Sequence, residues 1–217
     1  MTVRRAGVAL AALGAALLLM VMGAALRPLL FPEHPTAPKV LSATEIGFVQ
    51  DMTAHHQQAL LLVQRLDPGA DPLVVRLAQQ IADTQRGEIG MLLGWLRLAG
   101  VTTTDPHPMA WMHDTAAAAH HPGGPATPAA SPDAMPGMAT QADLDALAHA
   151  TGRDAAILFL NLMQRHHYGG IAMAQAADHL LTSGVVKQAA RDMITTQSRE
   201  TGLLGLLLDK ETGPLGR

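Results

Sequence analysis

Two adjacent histidine pairs mark this chain, His55-His56 and His166-His167, each preceded at three residues by a methionine, Met52 and Met163. Three residues is close to one helical turn, so on a helix each methionine shares a face with the first histidine of its pair. Imidazole nitrogen and thioether sulfur are the borderline and soft donors that bind copper-like ions where no thiolate is on offer. The chain has no cysteine, which excludes disulfides and thiolate sites, against 11 His and 12 Met. A second cluster lies between the pairs: Met109, Met112, His113, His120, His121, Met135 and Met138. Set among Pro, Gly and Ala, it would suit a pliable arm that captures Cu(I) through sulfur or Cu(II) through imidazole.

The elements that would hold these donors follow from a repeat. Phe48, Met52, His55 and His56 recur as Phe159, Met163, His166 and His167, displaced by 111 residues. Ile81, Gln85 and Glu88 recur as Met193, Gln197 and Glu200, displaced by 112. Agreement in type, order and spacing implies two like helical hairpins joined as a pseudo-symmetric, ferritin-like four-helix bundle. Ser42 with Glu45 is a capping-box signature that opens the first helix, which Asp67-Pro68-Gly69 closes. Asp71 followed by Pro72 starts the second, which stops before Gly100. A short helix over 141–150 precedes a third long one from about Arg153 to Leu181. Gly184 separates that one from a fourth, which runs to about Lys210.

On the first helix Phe48, Val49, Met52, Ala59, Leu62, Val63 and Leu66 trace an apolar stripe that contains His55 and His56. Gln50, Asp51, Gln57, Gln58, Gln64 and Arg65 fall opposite, toward solvent. The second and fourth helices carry Gln85 with Glu88, and Gln197 with Glu200, inside their own stripes. Counting outward from each turn at about 1.5 Å per residue brings His55 level with Gln85, and His166 level with Glu200. Eight polar groups then share one core layer, where each would cost several kcal/mol if left unpaired. Two readings compete. In one, His bonds Glu and Gln across helices and the layer fixes helix register. In the other, His and Met bind metal while Gln85, Glu88, Gln197 and Glu200 orient the imidazoles.

The remaining organisation is that of an exported protein. Arg4 and Arg5 precede an uncharged run from Ala6 to Leu26, long enough for a spanning helix, with the positive charge placing the N-terminus inside. Residues 1–26 are therefore expected as a signal-anchor or a cleaved signal peptide, and 27–41 as a Pro-rich tether. Residues 42–100 form the first hairpin, 101–140 a flexible linker and 141–210 the second hairpin. The expected place is the outer face of the cell membrane, or the periplasm or medium after cleavage.

Other functions lose ground. A formal net charge of -3 gives no basic stripe for nucleic acid. No Glu-x-x-His pair of a di-iron bundle is present, nor a zinc-protease, phosphate-loop or nucleophile-elbow motif. Tyr168 beside His167 hints at redox chemistry but drifts toward the polar face. No catalytic constellation emerges, and the chain reads as a binding protein.

Met52-x-x-His55-His56, Gln85-x-x-Glu88, Trp95-Leu96, Met135-Pro136-Gly137-Met138 and Met163-x-x-His166-His167 resemble the exported ferritin-like family known as domain of unknown function 305. The likeness covers about residues 42–210. Some members bind copper in the periplasm, so the resemblance implies copper sequestration, transfer or resistance, with a copper-handling partner and self-association as further expectations. One departure stands out: Gly169-Gly170 follow the second His pair where the first repeat has Gln58-Ala59. Gly170 would let a neighbouring helix approach closely, at about 1 kcal/mol of helix propensity.

Overall fold

The computed structural model of the chain describes residues 13–26, 40–112 and 135–213. It divides into two compact units, Met1–Lys39 and Val40–Arg217. In the first unit the described residues 13–26 form one helix, α1. The start of the expected span, residues 1–12, and most of the tether, residues 27–39, lie outside the described residues. No helix among the described residues is long and apolar enough to cross a membrane, so the expected membrane anchor gains no support from the fold.

Every regular element among the described residues of the second unit is a helix, without strands. The capping box of Ser42 and Glu45 opens α2, Ala43–Arg65. Asp71 accepts a hydrogen bond from the Leu73 N–H at 2.7 Å and opens α3, Pro72–Ala99, with Pro72 in the first turn, where no N–H is needed. Gly100, at φ 67°, takes the left-handed conformation that ends it. A single 3-10 turn, Ala110–Met112, follows. A second capping box, Thr140 with Asp143, opens α4, Gln141–His149. The chain continues through α5, Gly152–Leu180, and α6, Val185–Thr212.

Helix α2 packs against α3 and α5, α5 lies along α6, and α3 meets α6 only slightly. Each long helix passes through two apolar clusters. Leu62, Ile81, Phe159, Leu160 and Leu204 belong to one; Phe48, Leu92, Met173 and Met193 belong to the other. Full burial of each such side chain contributes about 1.5–3 kcal/mol. Between the clusters every one of the four helices carries its inward polar residues, so the polar layer is sealed by hydrocarbon on both sides. Because α2 and α5 cross the layer in opposite senses, Met52 belongs to one cluster and Met163 to the other.

The residues between the hairpins are packed at both of their described ends. Asp51 and Gln50, expected toward solvent, are buried, because the segment 101–112 lies over that face of α2. Asp51 Oδ2 accepts from the Met109 N–H at 2.7 Å and the Trp111 Nε1–H at 2.8 Å. Gln50 Nε2 donates to the Thr102 carbonyl at 2.7 Å. The Trp111 ring meets Phe48 edge-on, with centroids 5.5 Å apart, and fills the space that a side chain at Gly47 would need. Farther on, Gln58 pairs with the backbone of Ala139 through both ends of its amide, at 2.6 and 2.9 Å. This ties the end of the Met135–Met138 turn to α2, while Pro136 and Gly137 within the turn lie against Gly169 of α5.

Candidate metal centre

The four histidines come from two helices at matching heights, and all are fully buried. The two members of each pair face different partners, since successive residues on a helix point about 100° apart. His55 and His166, the first of each pair, turn toward the other hairpin: their rings lie 3.8 Å apart between centroids and 32° from parallel. His56 and His167, the second of each pair, turn toward their own hairpin's other helix. His56 Nε2 is 2.7 Å from Glu88 Oε2, and His167 Nε2 is 2.7 Å from Glu200 Oε2. Counting residues sets Glu200 level with His166 and Gln85 level with His55; in the fold Glu200 faces His167, and it is Glu88 that faces His56. Within both pairs the rings stand 6.3 Å and 56° apart, so the repeat extends to side-chain conformation.

Hydrogen bonding assigns the inner rings their protons. His55 Nε2 lies 3.1 Å from the Pro136 carbonyl, and His166 Nε2 lies 3.0 Å from the carbonyl of His55. A carbonyl accepts, so each Nε2 carries a hydrogen and donates. Burial, with the neighbouring His56 ring second, pushes His55 down to about 3, and burial likewise holds His166 well below the ordinary imidazole range. Both rings are therefore neutral at physiological pH, which leaves each Nδ1 with a bare lone pair. Neither Nδ1 has a hydrogen-bond partner.

The outer rings differ. His167 is held at both nitrogens: Nδ1 lies 3.1 Å from the Met163 carbonyl, and Nε2 is hydrogen-bonded to Glu200. The contact from His56 to Glu88 is as short, but the carboxylate lies off the ring's N–H direction, so it is an ion-pair distance without a hydrogen bond. Both nitrogens of His56 are left unpartnered. Three imidazoles thus offer free buried Nδ1 atoms and the fourth offers none. Of the accompanying amides, Gln197 lies against Gly170, where an added Cβ would come within 2.4 Å of its Oε1. Both polar atoms of that amide are unpartnered, as is Oε1 of buried Gln85.

The family follows from comparison with known proteins. A model described as a domain of unknown function, DUF305, matches residues 45–208, which include every residue named in this layer. The chain belongs to the DUF305 family. Its solved relatives include a DUF305 protein from Streptomyces coelicolor, 34% identical, with a TM-score of 0.66 over 80% of this chain and 96% of that one. A DUF305 fragment from Deinococcus radiodurans is 26% identical, with a TM-score of 0.62 over 78% of this chain and 97% of that one. CopM in its Cu(II)-bound form is 21% identical, with a TM-score of 0.52 over 76% of this chain and 96% of that one, a likeness of fold. No curated protein matches the chain.

Within this DUF305 chain the expected donors divide three ways. Met52, Met163 and the four histidines are buried in or beside the layer. Met109 is buried in the apolar cluster around Phe48, and Met112 and Met135 are half-buried against it. Met138 is half-buried too, so these methionines are packed rather than free in solution. His113, His120 and His121 lie outside the described residues. Among the described residues no three His, Asp or Glu side chains are grouped so as to hold a metal ion as they stand. The donor chemistry fits copper, but a site made from these imidazoles needs side-chain rotation or thioether ligands. Asp51 is the polar residue that the pattern of α2 concealed: burial holds its carboxyl above the ordinary range against the hydrogen bonds from Met109 and Trp111. The Trp111 indole, which needs a partner when buried, was the available signal.

Proposed function

We propose that the chain is an extracytoplasmic copper-binding protein, a ferritin-like four-helix bundle whose polar layer takes up the ion for sequestration or transfer. The observation that carries this reading is the pair of neutral, stacked imidazoles, each with an unshared and unpartnered Nδ1 inside a hydrocarbon shell. A buried lone pair without a donor is costly, and a soft cation satisfies it. Met52 and Met163 supply sulfur on opposite sides of the layer. His56 offers a third free nitrogen beside the Glu88 carboxylate, while Glu200 holds the His167 ring in place. The Cu(II)-bound state of CopM, which shares the fold, agrees with this reading, as does the provisional description of the Streptomyces coelicolor relative as secreted. Copper here is cargo.

A second reading has its own support: the inner rings already donate to backbone carbonyls, His167 is satisfied at both nitrogens, and no three-residue His, Asp or Glu group is formed. On that view the layer fixes helix register and binds nothing. Copper binding by the full chain, measured by chelator competition under reducing and oxidising conditions, separates the two. The comparison is a variant with alanine at His55, His56, His166 and His167, its folding followed by circular dichroism. Sub-micromolar affinity in the parent that is lost in the folded variant is the expected result. Unchanged affinity in the variant moves the site to the residues between the hairpins, and no binding by either protein leaves the layer as architecture.

A further inference from the structure

Where α3 and α6 meet only slightly, the fold leaves a cleft of roughly 250 Å3. Its walls include Glu88, Met91 and Trp95 from α3, and Asp192 and Met193 from α6. Two thioethers and two carboxylates in one partly enclosed space form a donor set of the kind that takes a soft cation: sulfur to bind it and negative charge to offset it. Met91 reaches solvent, at 38% exposure, while Met193 is buried at 1%, so the sulfur-bearing residues lead from the surface inward. Glu88 is shared between the cleft and the polar layer. It lines the cleft and at the same time stands 2.7 Å from His56 Nε2. His56 is fully buried and neither of its nitrogens has a hydrogen-bond partner.

The repeat supplies an internal control. At the positions matching Met91, Met193 and Asp192 the other half of the repeat carries Leu203, Ile81 and Gln80, which offer neither sulfur nor charge. Glu200, the counterpart of Glu88, is more closed off: its side chain is 4% exposed against 16%, and its Oε2 is hydrogen-bonded to His167. The soft donors and the opening thus coincide on one side of the molecule.

We propose that the α3–α6 cleft is a docking site for a monovalent soft metal ion, held by the Met91 and Met193 thioethers and balanced by Glu88 and Asp192, from which the ion reaches His56. Docking at the cleft stands on the cleft's own donors; onward passage rests on the copper reading of the polar layer. Passage is a ligand exchange with no redox step: a metal–sulfur bond is replaced by a metal–nitrogen bond at His56, and any proton that nitrogen carries has Glu88 as its acceptor.

The test is Ag(I), a redox-inert analogue of Cu(I), titrated into the full chain carrying methyl-13C methionine. The expected result is a shift of the Met91 and Met193 methyl signals, retained in the variant with alanine at all four core histidines. Met91→Leu, close in volume, should weaken Ag(I) binding at the cleft at least tenfold while leaving the Met52 and Met163 signals in place. Shifts at Met52 and Met163 without shifts at Met91 and Met193 would overturn the cleft and leave the core reading standing. A titration that moves no methionine methyl in the protein overturns the cleft, and the chelator competition with the four-histidine variant then decides the core reading by itself.

Discussion

The two hairpins carry one pattern but do not have the same environment. In the second, His167 is bonded at both nitrogens and Glu200 is enclosed. In the first, His56 keeps both nitrogens free and Glu88 borders an open cleft. The outer surfaces differ as well. Segment 101–112 covers α2 through Asp51 and Gln50, whereas the Met135–Met138 turn lies on α5 at Gly169. A duplicated core has thus been given one satisfied outer histidine, His167, and one with nitrogens to spare, His56. Pseudo-symmetry fixes where the histidines stand, and the departures from it decide which of them are free to act.

The largest effect should come from the glycine that breaks the repeat. A Cβ at Gly169 would stand 1.9 Å from the Pro136 carbonyl oxygen, and the Met135–Met138 turn carries the acceptor for His55. Gly169→Ala is expected to cost about 3 kcal/mol, because backbone meets backbone and neither side can rotate away. For a domain of this size that lowers Tm by roughly 10 °C, read by thermal denaturation. Gly87→Ala, with nothing within 4 Å, should instead gain about 1 kcal/mol from helix propensity. Equal effects at the two positions would mean that the turn does not bind α5 as described. A smaller difference is expected between the outer carboxylates. Glu200→Gln removes a charged, hydrogen-bonded partner of a buried ring and should cost about 2 kcal/mol. Glu88→Gln should cost less than about 1 kcal/mol, since no hydrogen bond is lost and the carboxylate is partly solvated. Equal costs in urea titrations would make the two halves equivalent and remove the asymmetry.

How much of this was legible in the sequence depended on whether a signal repeats along one helix or arises between elements. Capping residues Ser42, Glu45, Asp71, Pro72 and Gly184 bracket the long helices because their chemistry acts within a few residues. The histidines were identifiable because charge-capable residues interrupt apolar stripes twice at one spacing. Height along a helix comes from counting, so Gln85, Glu88, Gln197 and Glu200 could be set near the histidines. The facing angle, which pairs Glu200 with His167, depends on how the helices cross, and that is settled by packing. Asp51 was hidden for a related reason. Its place on the polar side of α2 is genuine, but Trp111, distant in sequence, covers it. Gly169 was visible as a departure from the repeat, yet its cause lies in a turn far away in sequence, so only the structure explains it.

The finest comparison is between the two inner rings. His55 and His166 both fold as neutral imidazoles, with His55 pushed down to about 3 from an ordinary 6.5, and His166 shifted in the same direction. The unfolded chain therefore binds more protons than the folded one as the pH falls below about 6.5, and stability must decline with it. The stabilisation is complete above the unfolded value and is lost progressively as pH drops toward the folded value. Each ring contributes a slope of about 1.4 kcal/mol per pH unit once its unfolded form is fully protonated. Asp51, shifted upward, acts in the opposite sense above 3.8, but it is common to parent and variants and cancels in their difference. His55→Asn and His166→Asn, studied by urea denaturation from pH 7 to about pH 5, should each flatten the profile of the metal-free protein by one proton's worth. If either substitution alone removes the slope of both, the stacked rings share a single proton-linked event, and the halves of the repeat are coupled where they touch.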